Sequence, residues 1–290
     1  MPLVINRRGF LQAALGSAAF AQQRNRIHWA LLSDIHIPAN QDEEYRGFRP
    51  AANLKKVVPR LLEYAPDGAL ISGDIARLVG AREDYDVVKA LLEPLASRMT
   101  LALALGNHDD RKNFFSVFSS VGSRPLQGRQ VSVVDAGPLR FVVLDSLMTA
   151  PGVTGKPATN CVAGLLGKAQ RTWLERFLAS SDATPTIIFV HHPPDDSDNN
   201  LLDSDRLLQL VAPARKVKAI VFGHTHSYSY DQANGIHLIN IPAMGYNFTD
   251  TAPVGWLETG MTREGADLTL RVIGGNTAQD GATKSLAWRG

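Results

Sequence analysis

Apolar runs of four to six residues recur along the chain, and five of them end in a short polar cluster. The runs fall at residues 28–33, 69–72, 101–105, 186–190 and 219–222. Short, near-continuous apolar runs bounded by turn residues predict buried strands. Between them the spacing changes to that of a helix. Leu54, Val57, Val58, Leu61 and Leu62 share one helical face over residues 50–64, and Val87, Val88, Leu91, Leu92 and Leu95 do so over 84–96. The pattern returns over 168–179 and 204–211, the latter with Ser204 as an N-cap. Further strands fit 131–134, 141–144, 236–241, 256–261 and 268–273. Strand–helix alternation followed by more strands predicts one α/β domain with two packed sheets. Residues 149–167 and 195–200 read as loops, and 274–290, without periodicity, as a tail.

The five polar clusters are Asp34-Ile35-His36, Gly73-Asp74, Gly106-Asn107-His108-Asp109, His191-His192-Pro193 and Gly223-His224-Thr225-His226. Loops at the carboxyl ends of parallel strands gather at one rim of a sheet, where ligands bind. These loops would therefore converge carboxylates, an amide and several imidazoles. That donor set suits zinc, iron, manganese or cobalt and disfavours calcium, for which imidazole is a poor ligand.

Composition narrows the partners. With 30 basic and 28 acidic side chains the net charge is +2, which favours neither a nucleic acid polymer nor an anionic membrane. The single cysteine, Cys161, excludes an internal disulfide and reads as a small apolar residue. Residues 1–21 carry Arg7-Arg8 followed by Phe10-Leu11, then an Ala-rich run, then Ala19-Phe20-Ala21. These are the parts of an export signal, too short to anchor in a membrane. The arginine pair resembles a twin-arginine leader, which implies the twin-arginine export machinery as a partner and a periplasmic or secreted mature protein from residue 22.

Taken together and in this order, the five clusters resemble the calcineurin-like metallophosphoesterases over residues 27–273, closest to the branch of bacterial cyclic-nucleotide and glycerophosphodiester phosphodiesterases. The resemblance implies a four-layer α/β/β/α sandwich and two divalent metal ions. It places one ion on Asp34, His36 and His226, the other on Asn107, His191 and His224, and Asp74 between them. It implies attack of a metal-activated hydroxide on a small phosphoester, with His108 as the catalytic histidine and Asp109 orienting its ring. Asp109 as a local loop hydrogen-bonder is the competing reading. Arg111 is a candidate phosphate contact, set against an ordinary arginine at a helix start. His192 stands beside the proline-spaced His191 as a packing residue, and His28 and His237 read as structural. Tyr228, Tyr230, Tyr246, Asn247 and Phe248 follow ligand loops and offer either a stacking pocket or loop packing. The motifs do not separate a phosphodiesterase from a phosphomonoesterase. A non-catalytic metal-binding scaffold is the remote alternative, disfavoured because every ligand position is filled.

Overall fold

A computed structural model describes residues 25–119, 125–150, 159–180 and 182–290. The expected leader at 1–21 and residues 151–158 of the long loop lie outside them. The first half runs β1 (Ile27–Leu32), α1 (Pro50–Tyr64), β2 (Gly68–Ile71), α2 (Arg82–Ala96), β3 (Thr100–Leu103), α3 (Arg111–Val117), β4 (Ser132–Ala136) and β5 (Leu139–Val143). The ribbon β6 (Thr149–Ala150) and β7 (Thr159–Asn160) precedes α4 (Gly167–Leu178), β8 (Thr186–Phe189), α5 (Ser204–Val211) and β9 (Val217–Phe222). Strands complete the chain: β10 (Ser229–Ala233), β11 (Ile236–Asn240), β12 (Pro253–Met261), β13 (Gly265–Gly275) and β14 (Thr283–Ala287).

Two six-stranded mixed sheets result, in the orders β14-β13-β12-β1-β2-β3 and β10-β11-β9-β8-β5-β4. The central strands β1, β2 and β3 are parallel, as are β11, β9, β8 and β5. Side-chain alternation along β1 divides the core. Ile27, Trp29 and Leu31 pack between the sheets against Phe141 and Phe189, whereas Ala30 and Leu32 face the helices. On α1, Leu54, Val57 and Leu61 close over that outer face fully buried, each contributing roughly 1.5–3 kcal/mol of transfer free energy. Pro50 begins this helix, where its missing N–H costs nothing, and the stretch stays helical past Pro59 because its buried face outweighs one lost bond. Helices α4 and α5 cover the other sheet through Leu174, Leu178, Leu207 and Val211. The molecule is thus the α/β/β/α sandwich anticipated from the motifs.

Three local features differ from the sequence expectation. Residues 274–290 are not a tail: β14 pairs with β13, and Arg289 donates to the carbonyls of Val217, Ala212 and Ala214 beside the other sheet. That edge strand buries only Leu286, so it carries no apolar period to read. Helix α3 is too short for a periodic signal, and is started by Asp110, whose side chain accepts the Asn113 N–H at 2.8 Å. Strand β10 is a largely exposed edge. Among the described residues no helix is long and apolar enough to cross a membrane.

Candidate metal centre

All five polar clusters meet at the seam between the two sheets. The first sheet supplies Asp34 and His36 after β1, Asp74 after β2, and Asn107 and His108 after β3; the second supplies His191 after β8, and His224 and His226 after β9. Eight non-glycine residues among those described have positive φ, and five of them are Asp34, His36, Asp74, His224 and His226. A left-handed backbone costs a side-chain-bearing residue free energy, so its concentration here marks a strained, over-determined site. The loops are cross-tied by backbone hydrogen bonds: Asp34 N–H to Gly73 O at 3.1 Å, His36 N–H to Asp74 O at 2.9 Å, Gly223 N–H to His191 O at 3.0 Å. Motif glycines make room for the ligand side chains. A Cβ on Gly106 would stand 2.2 Å from Asp74 Oδ1 and 2.6 Å from His191 Nε2, and one on Gly223 would stand 2.4 Å from Asp34 Oδ2.

The imidazoles are aimed through their far nitrogens. His36 Nδ1 faces the Arg77 carbonyl at 3.3 Å, His226 Nδ1 the Tyr246 carbonyl at 2.6 Å and His191 Nδ1 the Ser72 carbonyl at 2.8 Å. A carbonyl can only accept, so each Nδ1 donates and a neutral ring then presents a bare lone pair at Nε2. His36 Nε2 and His226 Nε2 lie 3.1 Å apart, with Asp34 Oδ1 3.4 Å from the latter. Burial pushes the His36 pKa down to about 3, so its ring is neutral. Asp34 Oδ1 is buried and makes no hydrogen bond of acceptable geometry. Three electron-rich atoms aimed at one point in the interior repel one another unless a cation sits between them, so these residues fit a metal ion.

On the other side, burial opposes charge on His191, but Asp74 and Asp34 outweigh it and raise its pKa to about 9. The two carboxylates that draw a proton there would equally draw a metal cation. Burial and the neighbouring His191 lower His224 to about 4. Its Nε2 faces the Asn199 carbonyl at 3.1 Å and so carries the proton, which leaves a bare lone pair at Nδ1. Asn107 is buried in the loop after β3. For Asp34 and Asp74 burial again acts upward, yet the surrounding histidines, His191 first, hold both carboxylates below the usual range. Asp74 accepts the His108 N–H through Oδ1 at 2.9 Å and turns Oδ2 toward His36 and His191.

A sequence profile of the calcineurin-like phosphoesterases matches residues 27–228, well over half of the chain. The chain belongs to the calcineurin-like phosphoesterase family. It is 30% identical over 240 residues to the glycerophosphodiester phosphodiesterase GpdQ of Enterobacter lignolyticus, covering 77% of this chain and 81% of that protein. It is also 30% identical over 257 residues to the 3',5'-cyclic adenosine monophosphate phosphodiesterase CpdA of Pseudomonas aeruginosa, covering 80% of this chain and 88% of that protein. A dimetal phosphatase from Danio rerio shares the fold, with a TM-score of 0.66 at 18% identity over 91% of this chain and 98% of that one. The protein is therefore a metal-dependent phosphoester hydrolase.

Two expected roles do not survive in this phosphoesterase. Asp109 does not orient the His108 ring. Its carboxylate accepts the N–H groups of Gly106, Ile75 and Ala76 and the Tyr85 hydroxyl at 2.9–3.2 Å, which ties the Asp74 loop to the Asn107 loop. Burial and the nearby Asp74 raise its pKa to about 6. The orienting group for His108 is the Leu78 carbonyl, 2.9 Å from Nδ1, while Nε2 lies 4.0 Å from Asp74 Oδ2 on a ring that stays partly open to solvent. Arg111 is not poised for phosphate either. Its fork closes on the fully buried Asp145, both bonds at 2.7 Å, and a third donor meets the Leu147 carbonyl.

The remaining histidines separate cleanly. His192 brings a ring nitrogen within 4.8 Å of ligand atoms of His191 and His224, but Nδ1 pairs with the Ser146 hydroxyl at 2.7 Å and Nε2 with the Val162 carbonyl at 3.0 Å. It anchors the loop after β5 to the site. His237 is held by Gln232 and the Ala287 carbonyl, and His28 by the Tyr64 hydroxyl. Tyr228 and Tyr230 pack on the inter-sheet core, whereas Tyr246 lies on His36, ring centroids 4.8 Å apart, and Phe248 lies on His226.

Several supporting residues had no readable signal. Asn53 on α1 donates to the carbonyls of Met244 and Gly245 at 3.1 and 2.9 Å, and the Gly245 N–H in turn donates to Asp34 O at 2.9 Å. Arg77 spans the rings of Tyr45 and Tyr246 while its own carbonyl fixes His36. An Asn inside an amphipathic helix and an Arg in a loop announce neither task, since their partners are distant in sequence.

Proposed function

We propose that this phosphoesterase is a two-metal phosphodiesterase acting on small phosphodiesters outside the cytoplasm. The observation that carries the two-ion reading is the shared carboxylate: Asp74 Oδ2 lies 3.6 Å from His36 Nε2 and 3.4 Å from His191 Nε2, one nitrogen from each half of the centre. Asp34, His36 and His226 would hold one ion, and Asn107, His191 and His224 the other, with manganese, iron, zinc or cobalt suited to the set. Held by these residues, divalent ions would supply positive charge for phosphoryl oxygens and would lower the pKa of a water toward neutral. His108 works from the rim. The Leu78 carbonyl steadies its Nδ1–H, and a proton on Nε2 would be passed to the departing ester oxygen. The names of GpdQ and CpdA, both phosphodiesterases, favour diesters over monoesters. The leader-like residues 1–21 favour export, which makes scavenged diesters fitting substrates.

Hydrolysis of bis(p-nitrophenyl) phosphate and p-nitrophenyl phosphate by the purified chain, across manganese, zinc, iron and cobalt, tests the reaction. Faster diester cleavage is expected; a monoester preference would move the protein to the phosphomonoesterase reading with the same metal centre. Export is tested by fractionating cells that express the chain with Arg7→Lys and Arg8→Lys together. Retention in the cytoplasm is expected, and unchanged export would overturn the twin-arginine assignment.

A further inference from the structure

Six large apolar side chains are well exposed among the described residues: Tyr45, Leu78, Val79, Val162, Leu202 and Phe248, at 39–73%. Four of them are tied to the metal centre by a ring contact or through their own carbonyl. The Phe248 ring stacks on His226, centroids 4.1 Å apart at 25°. Tyr45 meets Tyr246 edge-on at 4.8 Å, and Tyr246 lies on His36. Leu78, with Val79 beside it, holds His108 through its carbonyl. Val162 does the same for His192, whose ring centroid is 4.7 Å from that of His224. The Leu202 N–H donates to the Gly164 carbonyl at 2.9 Å, two residues from Val162. Isolated exposed apolar side chains need no explanation, but a group of them beside one cluster of Asp and His side chains does.

The two aromatics are also rigid. Arg46 donates to the carbonyls of Asn247 and Phe248 at 2.9 and 2.6 Å, pinning the segment that carries Phe248. Arg46 and Gly47, both at positive φ, form the tip of a tight turn closed by Tyr45 and Phe48. The Arg77 guanidinium lies 4.6 Å over the Tyr45 ring and is itself held by Glu43 at 2.6 Å. Fixed aromatic surfaces bind a ligand without paying to order their own side chains.

We propose that this apolar collar is the specificity surface of the site: Tyr45 and Phe248 form a wall for a flat apolar ester arm, and Phe248 selects it. The inference rests on the phosphodiesterase reading above and adds which diesters the centre takes, namely those with an aryl or similarly flat arm in preference to small polar ones. A partner protein laid across the whole collar would shut the centre from its substrate, whereas an ester arm fills one sector.

The test compares the manganese-loaded chain with its Phe248→Ala, Tyr45→Ala and Phe248→Trp variants. Two ratios are read: kcat/KM for bis(p-nitrophenyl) phosphate over sn-glycero-3-phosphoethanolamine, and inhibition or dissociation constants for phenylphosphonate over methylphosphonate, with bound manganese measured throughout. Removing one stacking face should lower both ratios about three- to tenfold in Phe248→Ala, less in Tyr45→Ala, with recovery in Phe248→Trp and unchanged manganese. Unchanged ratios, or equal losses on both ligands of each pair, would overturn the proposal; equal losses would mean that Phe248 merely supports His226. If the wild type cleaves neither diester yet prefers phenylphosphonate in a Phe248-dependent way, the collar stands and the diesterase reading falls.

Discussion

The Asp34–His36–His226 half proposed for the centre and the proposed Asn107–His191–His224 half draw on the same two sheets but are enclosed to different degrees. In the first, all three side chains are almost completely buried, both imidazoles are fixed by backbone carbonyls, and Tyr246 walls them in. In the second, His191 is as deeply held, but His224 is only half-buried and its Nε2 partner, Asn199, belongs to an exposed loop. Preorganised donors bind an ion without reorganisation, so the first half should fill at lower metal concentration. The second half, with a proposed ligand steadied from a surface loop, is the one whose occupancy should vary with metal supply.

The largest effect should come from the residue that belongs to both halves. Asp74→Asn removes the charge facing His36 and His191 and should cost more activity than the roughly 10–100-fold typical of groups that only support ligands, with metal content falling in parallel. An active variant with full metal would remove Asp74 from the centre. His108→Ala leaves every proposed ligand in place and keeps the backbone N–H that holds Asp74: metal content should stay at the wild-type level while kcat falls about 10²–10⁴-fold. Loss of bound metal instead would make His108 a ligand.

The comparison itself is sharpened by His36→Ala set beside His224→Ala. Thermal unfolding with and without manganese should show the metal-dependent rise in Tm abolished in the first variant and mostly retained in the second, because only ions bound to the native state stabilise it. Equal losses would mean that the halves fill together. Smallest at the centre, and largest for the scaffold, is Arg111→Ala. It removes the guanidinium fork from buried Asp145, which keeps the Gln130 and Leu147 N–H groups and Arg129 at 4.0 Å, and should cost less than the roughly 3–5 kcal/mol of a fully orphaned buried charge in denaturant unfolding, with metal stoichiometry intact. A stable Arg111→Ala protein with weakened substrate binding would restore the phosphate-contact role.

Much of this fold was legible because central parallel strands are buried on both faces and read as apolar runs, so the polar residues that end them stand out. The proposed ligand positions share that legibility: Asp34, His36, Asp74, His191, His224 and His226 each follow such a run. The failures have a common cause. Asp109 adjoins His108 in sequence, yet its side chain turns into a nest of amides while the His108 ring turns to the rim. Arg111 finds its partner 34 residues away. The strand at 283–287 is polar because it lies at an edge, and the segment whose Phe248 stacks on His226 is held by Arg46, 202 residues away in the chain. Adjacency in the chain predicts which loop a residue occupies, not which way it points.

The central claim, two ions sharing Asp74, is tested most directly by anomalous diffraction at the manganese edge from crystals of the manganese-loaded chain. The account predicts two peaks about 3.5–4 Å apart, one among Asp34, His36 and His226, the other among Asn107, His191 and His224, with the Asp74 carboxylate reaching both. A single peak at full loading, or a second peak held by His192 in place of His224, would contradict it.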